Sequence, residues 1–115
     1  MKQQSRPQGK TTIAPDVLIS IAKLSTLGVP GVYQLVDAPT NVSNLFKTHQ
    51  HNGVQVIVEN NTVYIDLYLI LNSDVNVLEV SHSIQNQVGR SVSEMVGMEV
   101  GKINIHVENI HFGEV

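Results

Sequence analysis

The chain predicts an α+β fold: a two-layer sandwich in which one mixed, mainly antiparallel sheet carries two helices on one face. Three observations predict it. Residues 53–72 hold two β-rich runs that meet at Asn60-Asn61, a pair that tolerates the positive φ angles of a two-residue hairpin turn. Two segments, one starting at Pro15 and one following Asn72, repeat apolar residues every three or four positions, the period of a helix packed along one side. A last run, from Glu99 to Ile110, alternates aliphatic and polar residues, as a half-buried strand does. With 115 residues, 42% of them hydrophobic, the chain is long enough to form one domain with a proper core. A polar, disordered tail is expected over 1–10, a single α+β domain over 11–110 and a short tail over 111–115.

In chain order, Thr11-Thr12-Ile13-Ala14 is a β-prone run, expected as an edge strand. Pro15 suits the first turn of a helix, where its missing N–H costs nothing, and Asp16 complements the positive helix end. Val17, Leu18, Ile21 and Leu24 supply the buried stripe; Gly28 stops the helix and Pro30 forbids its continuation. Gly31 to Val36 reads as a strand. Residues 37–52 are the least regular segment, with turn residues Asp37, Pro39 and Asn41 and one amphipathic turn at Val42, Leu45 and Phe46. The hairpin then sets Val58 opposite Val63, Val56 opposite Ile65 and Val54 opposite Leu67, all on one face. Ser73-Asp74 offers an N-cap to the second helix. Its stripe is Val77, Val80, Ile84, Val88, Val92 and Met95, and Gly97 ends it. In the final strand Ile103, Ile105 and Val107 face inward, and Lys102, Asn104, His106 and Glu108 face outward.

Composition narrows the chemistry. The chain has no Cys, which excludes disulfides, thiolate catalysis and cysteine-based zinc sites. No apolar run approaches the ~18 residues that span a bilayer, and no signal-peptide core opens the chain, so a cytoplasmic protein without direct membrane insertion is expected. The net charge of −3 is uneven. Lys2, Arg6 and Lys10 fall in the first ten residues without an acid, leaving a more acidic body, and nucleic-acid binding is not expected of such a surface. Gly28-Val29-Pro30-Gly31 has the GXXG spelling of an RNA-binding loop, but it joins a helix to a strand and lacks basic residues. No nucleophile context and no glycine-rich phosphate loop stands out, so no enzyme activity, catalytic residue or cofactor is expected.

The polar groups inside this pattern have simple readings. Asp66 interrupts the densest apolar run and keeps the outer strand face wet. His49-Gln50-His51 could bring two imidazoles to one ion, but a durable site needs third and fourth ligands that are not identifiable nearby. His82, His106 and His111 read as exposed polar residues. The outer hairpin face remains: Ile57, Tyr64, Tyr68 and Ile70 form a candidate contact face, since Tyr is enriched at interfaces. Incidental exposure is the alternative.

The order of these runs resembles a known family. Thr12-Ile13-Ala14-Pro15-Asp16-Val17-Leu18 with Ile21-Ala22 and Gly31-Val32, the run Val63 to Ile70, and Gly97-Met98-Glu99-Val100 with Ile103 to Val107 are similar to the bacterial alkaline shock protein family, also called the envelope stress response family. The likeness covers residues 11 to 109; segment 37–52 departs from it, having no glycine until Gly53. The resemblance implies a non-enzymatic interaction module, a scaffold or regulator in cell-envelope homeostasis or stress response. Its partner would be a protein, in some relatives an integral membrane protein, or a second copy. The alternative is a small-molecule or metal-binding regulator that uses the 37–52 loop.

The core assignment has a direct test. Ile65→Asp is expected to destabilise the fold by ~4 kcal/mol, while Glu94→Ala stays within ~0.5 kcal/mol. Equal melting temperatures for the two variants would reject it.

Overall fold

The computed structural model of the chain describes residues 9–39 and 49–113. The elements are α1 (Pro15–Leu27), β1 (Val32–Leu35), β2 (His49–His51), β3 (Val54–Glu59), β4 (Thr62–Asn72), α2 (Val77–Val96) and β5 (Glu99–His111). β4 is the centre of the five-stranded sheet. Along one edge it pairs antiparallel with β3 over Thr62–Leu67, then with β1 over Leu69–Leu71. Along the other it pairs parallel with β5 throughout its length. β2 extends the sheet beyond β3.

The β3–β4 hairpin follows the sequence pattern. Asn60 and Asn61 have φ of 51° and 61°, the positive angles a tight two-residue turn needs. Val58 meets Val63, Val56 meets Ile65 and Val54 meets Leu67. Along β4, Val63, Ile65, Leu67, Leu69 and Leu71 are all fully buried. Leu18, Ile21 and Ala22 of α1 join them in one core with Val80, Ile84, Val88 and Val92 of α2. α1 lies over β1 and β3, and α2 over β5. Both helices therefore cover the same sheet face, the predicted two-layer sandwich. Burying each such aliphatic side chain contributes ~1.5–3 kcal/mol, offset mostly by chain entropy.

Several local expectations change. Thr11–Ala14 is not a strand; Ala14 is extended because Pro15 follows it, and it serves as the N-cap position of α1. Ile13 packs against the core from that segment. Val17 and Leu24 are exposed, and the core-facing side of α1 instead includes Ile19 and Thr26. Thr26 is tolerated there because its Oγ1 donates to the Ala22 carbonyl at 2.7 Å. Val77 and Met95, at the two ends of the α2 stripe, are also exposed. The N-cap of α2 is Asn76, whose side chain accepts from the Glu79 N–H at 3.0 Å. Ser73 instead donates its N–H to the carbonyl of His111. β5 runs one residue past the expected boundary, to His111. The expected turn at Val42, Leu45 and Phe46 lies outside the described residues, as does most of the 1–10 tail.

His49–His51 is a strand that the sequence pattern missed. Its turn to β3 is Asn52-Gly53, with φ of 50° and 83°, a second two-residue hairpin of the same kind. Gly53 sits where three strands converge. Its carbonyl accepts from the Tyr68 N–H, and the Val36 N–H donates to the Tyr68 carbonyl. A Cβ on Gly53 would collide with the Val36 carbonyl and stand 2.8 Å from that of Tyr68. Gly53→Ala is therefore expected to cost at least ~2 kcal/mol in denaturant titrations. An unchanged midpoint would show that this junction is not packed as described.

Candidate functional site

The sheet face opposite the helices carries one polar residue from each of four strands in a direct line. Gln50, Gln55, Asp66 and Asn104 stand across from one another on β2, β3, β4 and β5. Gln55 Nε2 donates to Gln50 Oε1 at 2.8 Å. Asn104 Nδ2 donates to Asp66 Oδ1 at 3.1 Å, and His106 Nε2 lies 2.9 Å from the same oxygen. Asp66 thus interrupts its apolar strand in order to tie β4 to β5. Gln55 is buried with a partner for its amide, as buried polar groups require.

This polar line divides the four candidate contact residues. Ile57 and Tyr64 face each other across β3 and β4 on one side of it. Both are partly exposed. The Tyr64 ring lies over Gly101 so closely that a Cβ there would strike it. Tyr68 and Ile70 lie on the other side. Ile70 is partly exposed, whereas Tyr68 is only 5% exposed and so offers little surface to a partner. The His106 ring stacks on it, with centroids 4.3 Å apart and planes within 9°. Burial, with the negative charges of Asp66 and Glu108 nearby, holds the Tyr68 phenol above its ordinary pKa.

A second stack repeats the motif. Tyr33 of β1 and His111 of β5 stack with centroids 3.8 Å apart and planes within 12°. His106 and His111 are therefore partly buried rather than freely exposed, and both serve as ring partners. Sequence reading missed these pairs, because they join strands that meet only through the parallel β4–β5 register. Tyr and His at alternating outward positions was the available signal. His51 is exposed on β2, and the His49 side chain lies outside the described residues. Among the described residues, no group of three or more His, Asp or Glu side chains is placed to hold a metal ion.

Comparison with known proteins agrees with this architecture. The MamM CTD in a zinc form superposes with a TM-score of 0.52 at 12% identity, over 88% of this chain and 91% of that one. A second MamM-CTD structure gives 0.53 at 11% identity, over 84% and 99%. At such identities the likeness is one of fold alone. In sequence, the chain is 29% identical to the uncharacterised YqhY of Bacillus subtilis over 97% of this chain and 84% of that protein. It is 33% identical to an uncharacterised protein of Streptococcus pyogenes serotype M6, over 89% and 79%. A family model described by its cell envelope-related function matches residues 3–112. The chain belongs to that family, the alkaline shock protein family.

Proposed function

We propose that the protein is a non-catalytic interaction module, a scaffold or regulator in bacterial cell-envelope homeostasis or stress response, that binds a protein partner through the sheet face opposite α1 and α2. The observation that carries this reading is the Ile57–Tyr64 pair. It is partly exposed, set on two paired strands, and Tyr64 packs over Gly101. Such a preformed aromatic–aliphatic patch loses little side-chain entropy on binding. The polar line beside it supplies hydrogen-bonding groups for a rim. The cell envelope-related role of the family supports the setting. No described helix is long and apolar enough to cross a membrane; an integral membrane protein is the class of partner that fits an envelope setting.

Affinity purification from the native host, with membranes retained, tests this reading. Ile57→Lys and Tyr64→Ala are each expected to weaken partner capture roughly tenfold, with Ile57→Lys leaving the melting temperature within a few degrees. Undiminished capture by both would reject the face. Tyr68 behaves differently, being structural. The folded state keeps its phenol protonated above the ordinary value of 10.0. The unfolded chain loses that proton first, so stability falls as pH rises from that value through the raised one. In Tyr68→Phe this part of the alkaline loss disappears, while partner capture is retained. Unfolding free energies measured from neutral to strongly alkaline pH check it; identical slopes for the two proteins would contradict the assignment.

A further inference from the structure

The two edges of the sheet are unlike. Among the described residues, β2 closes one side with three residues, too short to template another strand. β5 closes the other with thirteen, and among the described residues it pairs with β4 alone. Alternate residues of such a strand direct N–H and C=O away from its neighbour. β5 has no proline and no charge on its core side, two of the usual devices against edge pairing. Gln85 Nε2, from α2, does reach its backbone at the Ile103 carbonyl, at 3.0 Å; a carbonyl has a second lone pair and still accepts. Ile103, Ile105, Val107 and Ile110 remain partly exposed although they pack against the core. Apolar surface is therefore left open along β5, the longest edge strand among the described residues.

The residues of β5 also complement themselves. The register slips at Gly101 and at Glu108, leaving Lys102–Val107 as a regular stretch. In an antiparallel self-pairing, residues equally far from the two-fold axis face each other on one side of the sheet. With the axis at Ile105, Lys102 meets Glu108, Ile103 meets Val107 and Asn104 meets His106. Moving the axis to Asn104 sets Lys102 against His106, and moving it to His106 sets Lys102 against Ile110. Only the Ile105 register, of these three, matches cation to carboxylate and aliphatic to aliphatic.

We infer that β5 pairs antiparallel with β5 of a second copy about a two-fold axis at Ile105, joining two five-stranded sheets into one. This goes beyond the partner-binding reading: it concerns the sheet edge rather than the outer face and names a second copy as the occupant. Both faces opposite α1 and α2 then lie on the same side of the joined sheet, so one dimer presents two Ile57–Tyr64 patches together. Lys102 and Glu108 are exposed, and changing them leaves the core intact.

Sedimentation velocity of the full chain across the micromolar range tests the inference. The unaltered protein is expected to form a dimer. Lys102→Glu and Glu108→Lys are each expected to weaken it roughly tenfold, since each places like charges across both symmetry-related pairs. An equimolar mixture of the two variants is expected to recover the dimer, because each then meets the opposite charge on the other. A chain that stays monomeric, variants that dimerise as well as the parent, or a mixture no stronger than its components would each overturn the inference. Circular dichroism melts of both variants confirm that the monomer fold is kept. Loss of dimer with partner capture retained, or the reverse, separates this inference from the proposed partner face.

Discussion

The structure depends on one constraint, the complete hydrogen-bonding of β4. This eleven-residue strand has backbone partners along both edges and core residues along one face. A fully paired central strand has no polar backbone left to satisfy, which allows five aliphatic side chains in succession to be completely buried. The price is that one edge must be shared by two strands. β3 and β1 meet end to end beside Tyr68, and the join is close enough that only Gly53, with neither side chain nor a barrier to positive φ, fits between them.

The outer face obeys a different rule. With no described helix above it, its polar and aromatic groups satisfy one another across strands. Asp66 receives Asn104 and His106, while Tyr68 and Tyr33 are capped by His106 and His111. Cross-strand pairs of this kind contribute roughly 0.2–1 kcal/mol each. Their joint effect is to fasten β5 to β4 and β1 from the side that the core does not reach. The aromatic residues there divide into structural and available ones, and the polar line at Asp66 marks the division.

Much of the fold was legible in the sequence, and the failures have physical causes. The β3–β4 hairpin was readable because its register is set by a local turn and a period-two pattern. The α2 stripe was readable at Val80, Ile84, Val88 and Val92 but not at its ends, because periodicity tells which side of a helix faces the sheet and not where the sheet stops. Asn52-Gly53 is a strong hairpin signal, yet the residues before it lack an alternating pattern, so β2 was absorbed into an irregular segment. For the outer face, composition identified Tyr64 and Tyr68 as a pair of equals. Their different fates follow from Gly101 and His106, which reach them only through the parallel pairing of β4 with β5. A register between distant strands is not encoded in the spacing of either one.

That parallel pairing also orders events in time. β3 and β4 need only close a two-residue turn, whereas β5 follows β4 in the chain only after the twenty-residue helix α2. Closing the larger loop is slower, because chain entropy is lost before the long-range contacts form. During synthesis, the free edge of β4 therefore emerges well before the strand that seals it. For that interval the most apolar segment of the protein has an edge without its final partner, the kind of exposed strand edge that favours association with other chains.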